Sequence, residues 1–150
     1  MASLDLGRIA AVAFLALAPG SDCSPPPHPG TTCEETVYAL ERCIQLNDPN
    51  CSVGLIDPRQ RHEFGFKSLQ RVATSVWTGW EGFHWTSLRP RQKGTTCYVS
   101  ATIAGHHVAG GWPYLEDVVS NLGVYQVDDR WYVSVPGAHC TPDHSWCDPG

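Results

Sequence analysis

The stretch Thr95-Thr-Cys-Tyr-Val-Ser-Ala-Thr-Ile-Ala104 alternates between apolar and polar side chains with a period of two. Cys97, Val99, Ala101 and Ile103 fall on one side of an extended chain, and the residues between them fall on the other. Because successive side chains of a strand point to opposite faces, this pattern predicts a β-strand with one buried face. It marks the region where the periodicity of the chain changes from helical to extended.

Two helices are predicted before this strand. Thr32-Cys-Glu-Glu35 has the form of a capping box, in which a Thr side chain and a Glu three residues later cap a helix start. The helix that follows is predicted to span Glu34–Leu46, because its apolar residues recur at helical spacing. Asp57-Pro58 has the form of a helix start with Asp as N-cap, and this second helix is predicted to run to about Trp77.

Further strands are predicted on both sides of the opening stretch. They are Phe83–Arg89, Trp112–Val119, Leu122–Val127 and Arg130–Val135. The last two flank Asp128-Asp129, which predicts a hairpin with a two-residue turn. Pro113 interrupts its strand, which is typical of an edge position.

Helices followed by a run of antiparallel strands predict the α+β class. We expect N-terminal helices packed on a curved, cone-like antiparallel sheet, stapled by disulfides. The chain of 150 residues leaves room for one domain with a hydrophobic core. We therefore predict a single α+β domain with a cysteine-containing tail over residues 32–150.

Seven cysteines indicate an oxidising compartment. The disulfide candidates are Cys33, Cys43, Cys51, Cys97, Cys140 and Cys147. Six cysteines allow 15 connectivities, and the sequence does not choose among them. Cys23 is left over as a candidate for lipidation or for a free thiol, although Gly20 and Asp22 before it depart from the usual lipoprotein pattern.

An apolar run, Ile9–Ala18, follows the basic residue Arg8. It is too short to cross a bilayer, and its length is typical of the core of a signal peptide. We therefore predict that residues 1–20 are a signal peptide or an N-terminal apolar segment, and that residues 21–31 are a Pro-rich linker. The protein is expected to be secreted or held in the cell envelope, with membrane contact only through this segment or a lipid on Cys23.

The charge of the chain argues against nucleic acid as a partner. The formal net charge is −5, and no basic block compensates for it. The nearest approach to a basic cluster is Arg89-Pro-Arg91-Gln-Lys93, which we interpret as a solvated loop.

The chain resembles the nuclear-transport-factor-two-like superfamily, which has the cystatin-like cone fold and includes many exported actinobacterial proteins. The resemblance covers about residues 32–135. It rests on the opening helix Glu34–Leu46, on the apolar turn ending Leu55-Ile-Asp-Pro58 before the second helix, and on the closing hairpin Tyr125-Gln-Val-Asp-Asp-Arg-Trp-Tyr-Val133. It implies a pocket inside the cone, which enzymes of the family line with an acid or a His–Asp pair.

Candidates for such a catalytic pair are Asp57, His84, Tyr98 and Glu116, but none lies in a motif that matches the family. We therefore assign no catalytic residue and no cofactor. Asp57 has the simpler interpretation of a helix cap.

Two other groups of residues could bind a ligand. Trp77, Trp80, Phe83 and Trp85 would form an aromatic binding surface if they were exposed, and core at the junction of helix and sheet if they were buried. Cys140, His144 and Cys147 have a spacing that zinc accepts, although in an oxidising compartment the two cysteines are better explained as disulfide-bonded.

The sequence thus predicts an exported, non-enzymatic binding or interaction module of the envelope or the extracellular space. Its partner would be a small apolar ligand or an envelope protein. The alternatives are a small pocket enzyme of the same fold and a zinc-binding protein that is not exported.

Overall fold

The computed structural model describes residues 26–108 and 115–138 and the single positions 143, 146 and 147; residues 115–119 are described by their backbone alone. The predicted signal segment, Cys23, Cys140 and His144 lie outside the described residues. The helices are α1 (Cys33–Gln45), α2 (Pro49–Gly54), α3 (Pro58–Phe64) and α4 (Phe66–Trp77). The strands are β1 (Trp80–Lys93), β2 (Thr96–His107), β3 (Leu115–Val127) and β4 (Arg130–Val133). No helix in this part of the chain is long and apolar enough to cross a bilayer.

The predicted start of α1 is confirmed. Thr32 is the N-cap and accepts a hydrogen bond from the backbone N–H of Glu35, while the Glu35 carboxylate reaches back to the N–H of Thr32. The apolar face of the helix is fully buried and includes Val37, Leu40 and Ile44. This face packs against β1 and β4.

The region between α1 and the sheet holds three helices where the sequence predicted a turn and one helix. Asp48 caps α2 by accepting the N–H groups of Asn50 and Cys51, so the predicted helix-breaking segment also begins a new helix. The predicted second helix is divided in two at Gly65. The backbone of Gly65 has φ 76° and ψ 149°, a conformation open essentially to glycine alone, and no α-helix continues through it.

The sheet confirms the predicted α+β class. Its strands follow the order β1-β2-β3-β4, all antiparallel, and the sheet curls into a half-barrel with the helices on one face. The inward-facing residues of β2, which are Cys97, Val99 and Ala101, are fully buried. They belong to one hydrophobic core together with the apolar face of α1.

Two strands differ in extent from the prediction. β1 continues past Arg89 to Lys93, because it is the edge strand and Pro90 can leave its missing N–H on the unpaired side. β3 is one continuous strand, where the sequence predicted a strand ending at Val119 and a separate strand beginning at Leu122. β4 pairs only with residues 124–127, so among the described strands the first part of β3 has β2 on one side and no strand on the other, in agreement with the predicted edge position. Pairing with β2 bridges Ser120 and Asn121, so the polar pair does not end the strand.

The predicted hairpin between β3 and β4 is confirmed. Asp128 and Asp129 both have positive φ, at 49° and 63°, as a two-residue turn of type I′ requires. β4 is held on its other side by the segment before α3, because Ile56 forms a parallel bridge with Val133. Val133 donates its N–H to the carbonyl of Leu55, and Asp57 donates its N–H to the carbonyl of Val133.

Two disulfides connect the layers. Cys33 at the start of α1 is bonded to Cys97 on β2, and Cys43 on α1 is bonded to Cys51 on α2. Cys147 is also disulfide-bonded, with a partner outside the described residues. The predicted disulfide-stapled character of the domain is therefore present.

The end of the predicted linker is packed against the domain. Gly30 is buried, and its N–H donates to the hydroxyl of Thr36 while its carbonyl accepts the N–H of Trp131. A side chain at this position would collide with Glu35. The chain is thus fixed between α1 and β4 before the helix begins.

Candidate functional site

The four aromatic residues singled out in the sequence come together, but mostly inside the protein. Trp77, Phe83 and Trp85 are each no more than 5% exposed, and Trp80 is half-buried. Phe83 lies edge-on to Trp80 and to Trp85, with ring centroids 5.1 and 4.8 Å apart. The indole N–H of Trp85 donates to the carbonyl of Val37 in α1. These residues join helices to sheet and do not present an open aromatic face.

The candidate acids and bases do not form one site, and Asp57 and His84 each interact with different neighbours. Asp57 is fully buried and caps α3, and its carboxylate forms a 2.7 Å ion pair with Arg59. His84 is exposed and lies 3.4 Å from Glu41, whose carboxylate accepts the backbone N–H of Trp85. The structure gives no side-chain position for Glu116. No described contact joins Asp57 to His84.

The alternative of a zinc site at the tail is not favoured by the bonding of Cys147. Zinc binds a thiolate, whereas the sulfur of Cys147 is in a disulfide. Within the described residues, no group of three or more His, Cys, Asp or Glu residues is arranged to hold a metal ion.

A concavity lies where β3 runs past the end of β4. It has a volume of about 560 Å³ and opens between the end of α4, strands β2 and β3, and the segment 134–138 that follows β4. We call it the Tyr98 cleft. Its apolar lining comprises Val76, Trp77, Tyr98, Leu122, Tyr125, Val135, Pro136 and Ala138. Its polar lining comprises Ser120, Asn121 and Ser134.

The rim of the Tyr98 cleft exposes apolar groups to solvent. Tyr98 on β2 is 61% exposed and Val76 on α4 is 39% exposed, whereas Trp77 beside Val76 is buried. Large apolar side chains that stay exposed around a concavity are typical of a binding site.

Tyr125 forms one wall of the cleft. It is 7% exposed, and its ring lies 6.4 Å from that of Trp146, a buried residue of the C-terminal tail. Burial raises the pKa of the Tyr125 phenol, and the nearby Tyr98 and Asp57 raise it further. The phenol is therefore kept protonated, as a hydrogen-bonding group rather than a base.

A glycine brings the walls together. A Cβ on Gly123 of β3 would lie 3.4 Å from both the Cβ of Ser134 and the phenol oxygen of Tyr125, so these two side chains leave little room above the glycine. The N–H of Ser134 donates to the carbonyl of Gly123. A glycine inside a strand pattern often marks such a close approach, so Gly123 is a signal in the sequence that could have indicated this cleft.

The segment 134–138 is held in place by α3. Gln60 is fully buried; its amide nitrogen donates to the hydroxyl of Ser134, and its amide oxygen accepts the N–H of Val135. The carbonyl of Val135 then accepts the N–H of Ala138, which closes a turn. The cleft therefore has a rigid wall although that wall contains no helix or strand.

Of the residues proposed from the sequence, Tyr98 and Trp77 line this cleft. The sequence analysis missed Val76, Asn121 and Ser134. They come from three different parts of the chain and carry no motif, so only the fold brings them to one place.

Comparisons with known proteins identify no family. No protein-family model and no curated protein matches the chain. Among solved structures, the chain is similar to the solution structure of a SEC-C motif containing protein from Rhodopseudomonas palustris. The two share 20% sequence identity with a TM-score of 0.49, and the match covers 69% of this chain and 76% of that chain.

The predicted membership of the nuclear-transport-factor-two-like superfamily is wrong. The solved structure named above is described by a different motif, and the comparisons give no match to the predicted superfamily. The resemblance rested on the order of elements and on a hairpin ending in an Asp turn, features that many α+β domains share. What the structure retains from that prediction is the fold class.

Proposed function

We propose that the protein is an exported binding module that takes a small, largely apolar ligand in the Tyr98 cleft. The observation that carries this proposal is the exposed apolar rim, Tyr98 and Val76, around a concavity of about 560 Å³. That volume falls in the range of about 300–1,000 Å³ typical of small-molecule sites.

The chemistry of the lining supports binding rather than catalysis. An apolar body would contact Val76, Leu122 and the ring of Tyr98, while the hydroxyl of Ser134 and the amide of Asn121 would orient a polar substituent. The phenol of Tyr125, whose pKa is raised by burial, is protonated and can donate a hydrogen bond to the same substituent.

Export is supported by the disulfides. Cys33–Cys97 and Cys43–Cys51 bridge α1 to β2 and to α2, and such bonds persist in oxidising compartments. The apolar segment predicted at residues 1–20 would provide the route.

The test measures binding of the neutral dye Nile red to the oxidised protein by fluorescence. We expect Val76→Asp to abolish most of the binding, because it places a charge on the apolar rim. Leu46→Asp is the matched control: Leu46 is 49% exposed and also lies at the C-terminal end of a helix. Native mass spectrometry of the protein isolated from its host would then identify a ligand that co-purifies.

Two results would contradict the proposed binding site. If the native protein does not bind Nile red, or if Val76→Asp and Leu46→Asp weaken binding equally, the cleft is not the binding site.

A further inference from the structure

The segment that the sequence suggested to be a solvated basic loop is the end of β1. Residues of a strand alternate between faces, so Arg89, Arg91 and Lys93 project on one face of the sheet, about 7 Å apart along the strand. All three are exposed. In the described part of the chain, none of them has a hydrogen bond or an ion pair through its side chain.

The register shows what shares this face. Arg91 lies opposite Tyr98, which lies opposite Gly123, and Arg89 lies opposite Ser100, which lies opposite Asn121. The neighbouring row contains Lys93, Thr96 and Tyr125. Residues directly opposite each other point to the same side of a sheet. Because Val99 and Cys97 point into the core, this face is the outer one.

We call these three rows the basic face. None of its positions is acidic, although the chain as a whole has a formal net charge of −5. Three cations within about 14 Å of strand, without counter-charges, repel one another, and an anionic ligand would relieve that repulsion.

The polar and aromatic groups next to the cations indicate which class of anionic ligand this face would bind. The hydroxyl of Ser100 donates to the amide oxygen of Asn121 at 3.0 Å, which leaves the amide N–H groups of Asn121 as donors on the face. The ring of Tyr98 is 61% exposed, and its neighbour on β3 is Gly123, which has no side chain. Rigid aromatic rings with hydroxyl and amide neighbours suit a flat, polyhydroxylated ring.

An acidic peptide fits this surface less well. Extended peptides usually bind a sheet by adding a strand at its edge. The edge strand here is β1, and Pro90 lies between Arg89 and Arg91 and has no N–H to offer a partner strand.

We propose that the basic face binds an acidic polysaccharide, with sugar carboxylates paired to Arg89, Arg91 and Lys93 and a sugar ring stacked on Tyr98. This inference goes beyond the small apolar ligand proposed for the Tyr98 cleft. The two sites share Tyr98 and Asn121; Val76 belongs only to the cleft, and Arg89 and Arg91 belong only to the basic face.

The test measures binding of the oxidised protein to polygalacturonate, a polymer of a uronic acid, by isothermal titration calorimetry. We expect binding that weakens as salt rises. The double variant Arg89→Gln/Arg91→Gln should weaken it about tenfold, since two exposed ion pairs are lost. Tyr98→Ser should weaken it several-fold, whereas Tyr38→Ser, at a tyrosine on α1 that is 51% exposed, should leave it unchanged.

The double variant Lys67→Gln/Arg71→Gln is the control for a change in net charge alone, because it removes two exposed cations from α4 instead of β1. The proposal is overturned if polygalacturonate does not bind, or if this control weakens binding as much as the β1 variant. It is also overturned if poly-L-glutamate or single-stranded DNA binds as tightly, because the face would then select only charge or a different polymer.

The two proposed sites can be tested independently of each other. Val76→Ser, which adds no charge beside Tyr98, should weaken binding of Nile red and leave binding of polygalacturonate intact. Arg89→Gln/Arg91→Gln should leave binding of Nile red intact. Near-ultraviolet circular dichroism of each variant confirms that a loss of binding is not a loss of fold.

Discussion

A single carboxylate organises the chain where it enters α1. One oxygen of Glu35 accepts the N–H of Thr31 at 2.7 Å, the hydroxyl of Thr31 at 2.8 Å and the N–H of Thr32 at 3.3 Å. These hydrogen bonds, those from Thr31 above all, lower the pKa of Glu35. The same residue borders Gly30, which is fixed between Thr36 and Trp131. The charge on Glu35 thus secures the entry to the domain.

Glu35→Gln should make the protein less stable at neutral pH and less sensitive to acid. Because folding lowers the pKa of Glu35, its stabilising effect is complete above the ordinary value of 4.5 and is lost as pH falls through the lower folded value. The melting temperature, measured between about pH 3 and 7, should therefore fall less steeply in the variant than in the wild type. Glu34→Gln removes a charge from the same turn but none of these hydrogen bonds, so its acid dependence should match the wild type. An unchanged profile for Glu35→Gln would contradict this role.

Tyr125 should limit stability at the alkaline end. Burial and the nearby Tyr98 and Asp57 hold its pKa above the ordinary value of 10.0. Stability from the protonated phenol is therefore complete below that value and declines as pH rises through it. An absorbance titration should show a tyrosine transition above the ordinary range, and Tyr125→Phe should remove it. Tyr38→Phe should retain it; loss of the transition in that control would assign it to the wrong residue.

At the scale of elements, the sequence predicts what local chemistry determines. The capping box at Thr32, the alternation around Val99 and the turn at Asp128 each depend on neighbours along the chain, and each is found in the structure. The break at Gly65 was missed, because a glycine inside a helical pattern is often tolerated, and only the observed backbone conformation shows that it divides α3 from α4. The continuity of β3 was missed because it depends on pairing with β2.

The cleft could be predicted only in fragments, for the same reason. Tyr98 is conspicuous in the sequence as one of the aromatic residues on an alternating strand. Its position opposite Gly123, and the return of Ser134 across that glycine, depend on strand register and on α3. Trp77, Phe83 and Trp85 are buried, as a core interpretation of the aromatic run requires. The helical spacing of the run does not explain this burial, because α4 ends at Trp77 and the other three aromatic residues lie on β1.

Gln60 is the contact through which α3 positions the wall of the cleft. Gln60→Ala would leave the N–H of Val135 without its acceptor and open a cavity, which should lower the free energy of unfolding by about 2–4 kcal/mol. Binding of Nile red should weaken as well, because Ser134 loses its anchor. Gln70→Ala, which removes an exposed amide contact with Asn50, should change stability by less than about 0.5 kcal/mol. Equal losses in urea denaturation of the two variants would show that α3 does not hold this wall.

At the scale of the whole molecule, the two disulfides that join described residues close loops of very different length. Cys43–Cys51 spans 8 residues and joins adjacent helices, whereas Cys33–Cys97 spans 64 residues and joins the first helix to the central part of the sheet. A crosslink stabilises a fold chiefly by restricting the unfolded chain, and the restriction grows with the length of the loop. The order of the helices and strands along the chain determines how many residues separate the two cysteines of each bond. It therefore determines how much each bond stabilises the fold.

The long-range bond should accordingly matter more than the short-range one. Loop closure predicts a loss of about 4 kcal/mol for Cys33→Ala/Cys97→Ala and about 2.5 kcal/mol for Cys43→Ala/Cys51→Ala. Both pairs lie in or against the core, so the cavities left by four small side chains add similar amounts and do not change the ranking. Urea denaturation of the oxidised variants measures the difference. A larger loss for the Cys43–Cys51 pair would mean that strain or residual structure in the unfolded chain, rather than loop length, governs how these bonds stabilise the domain.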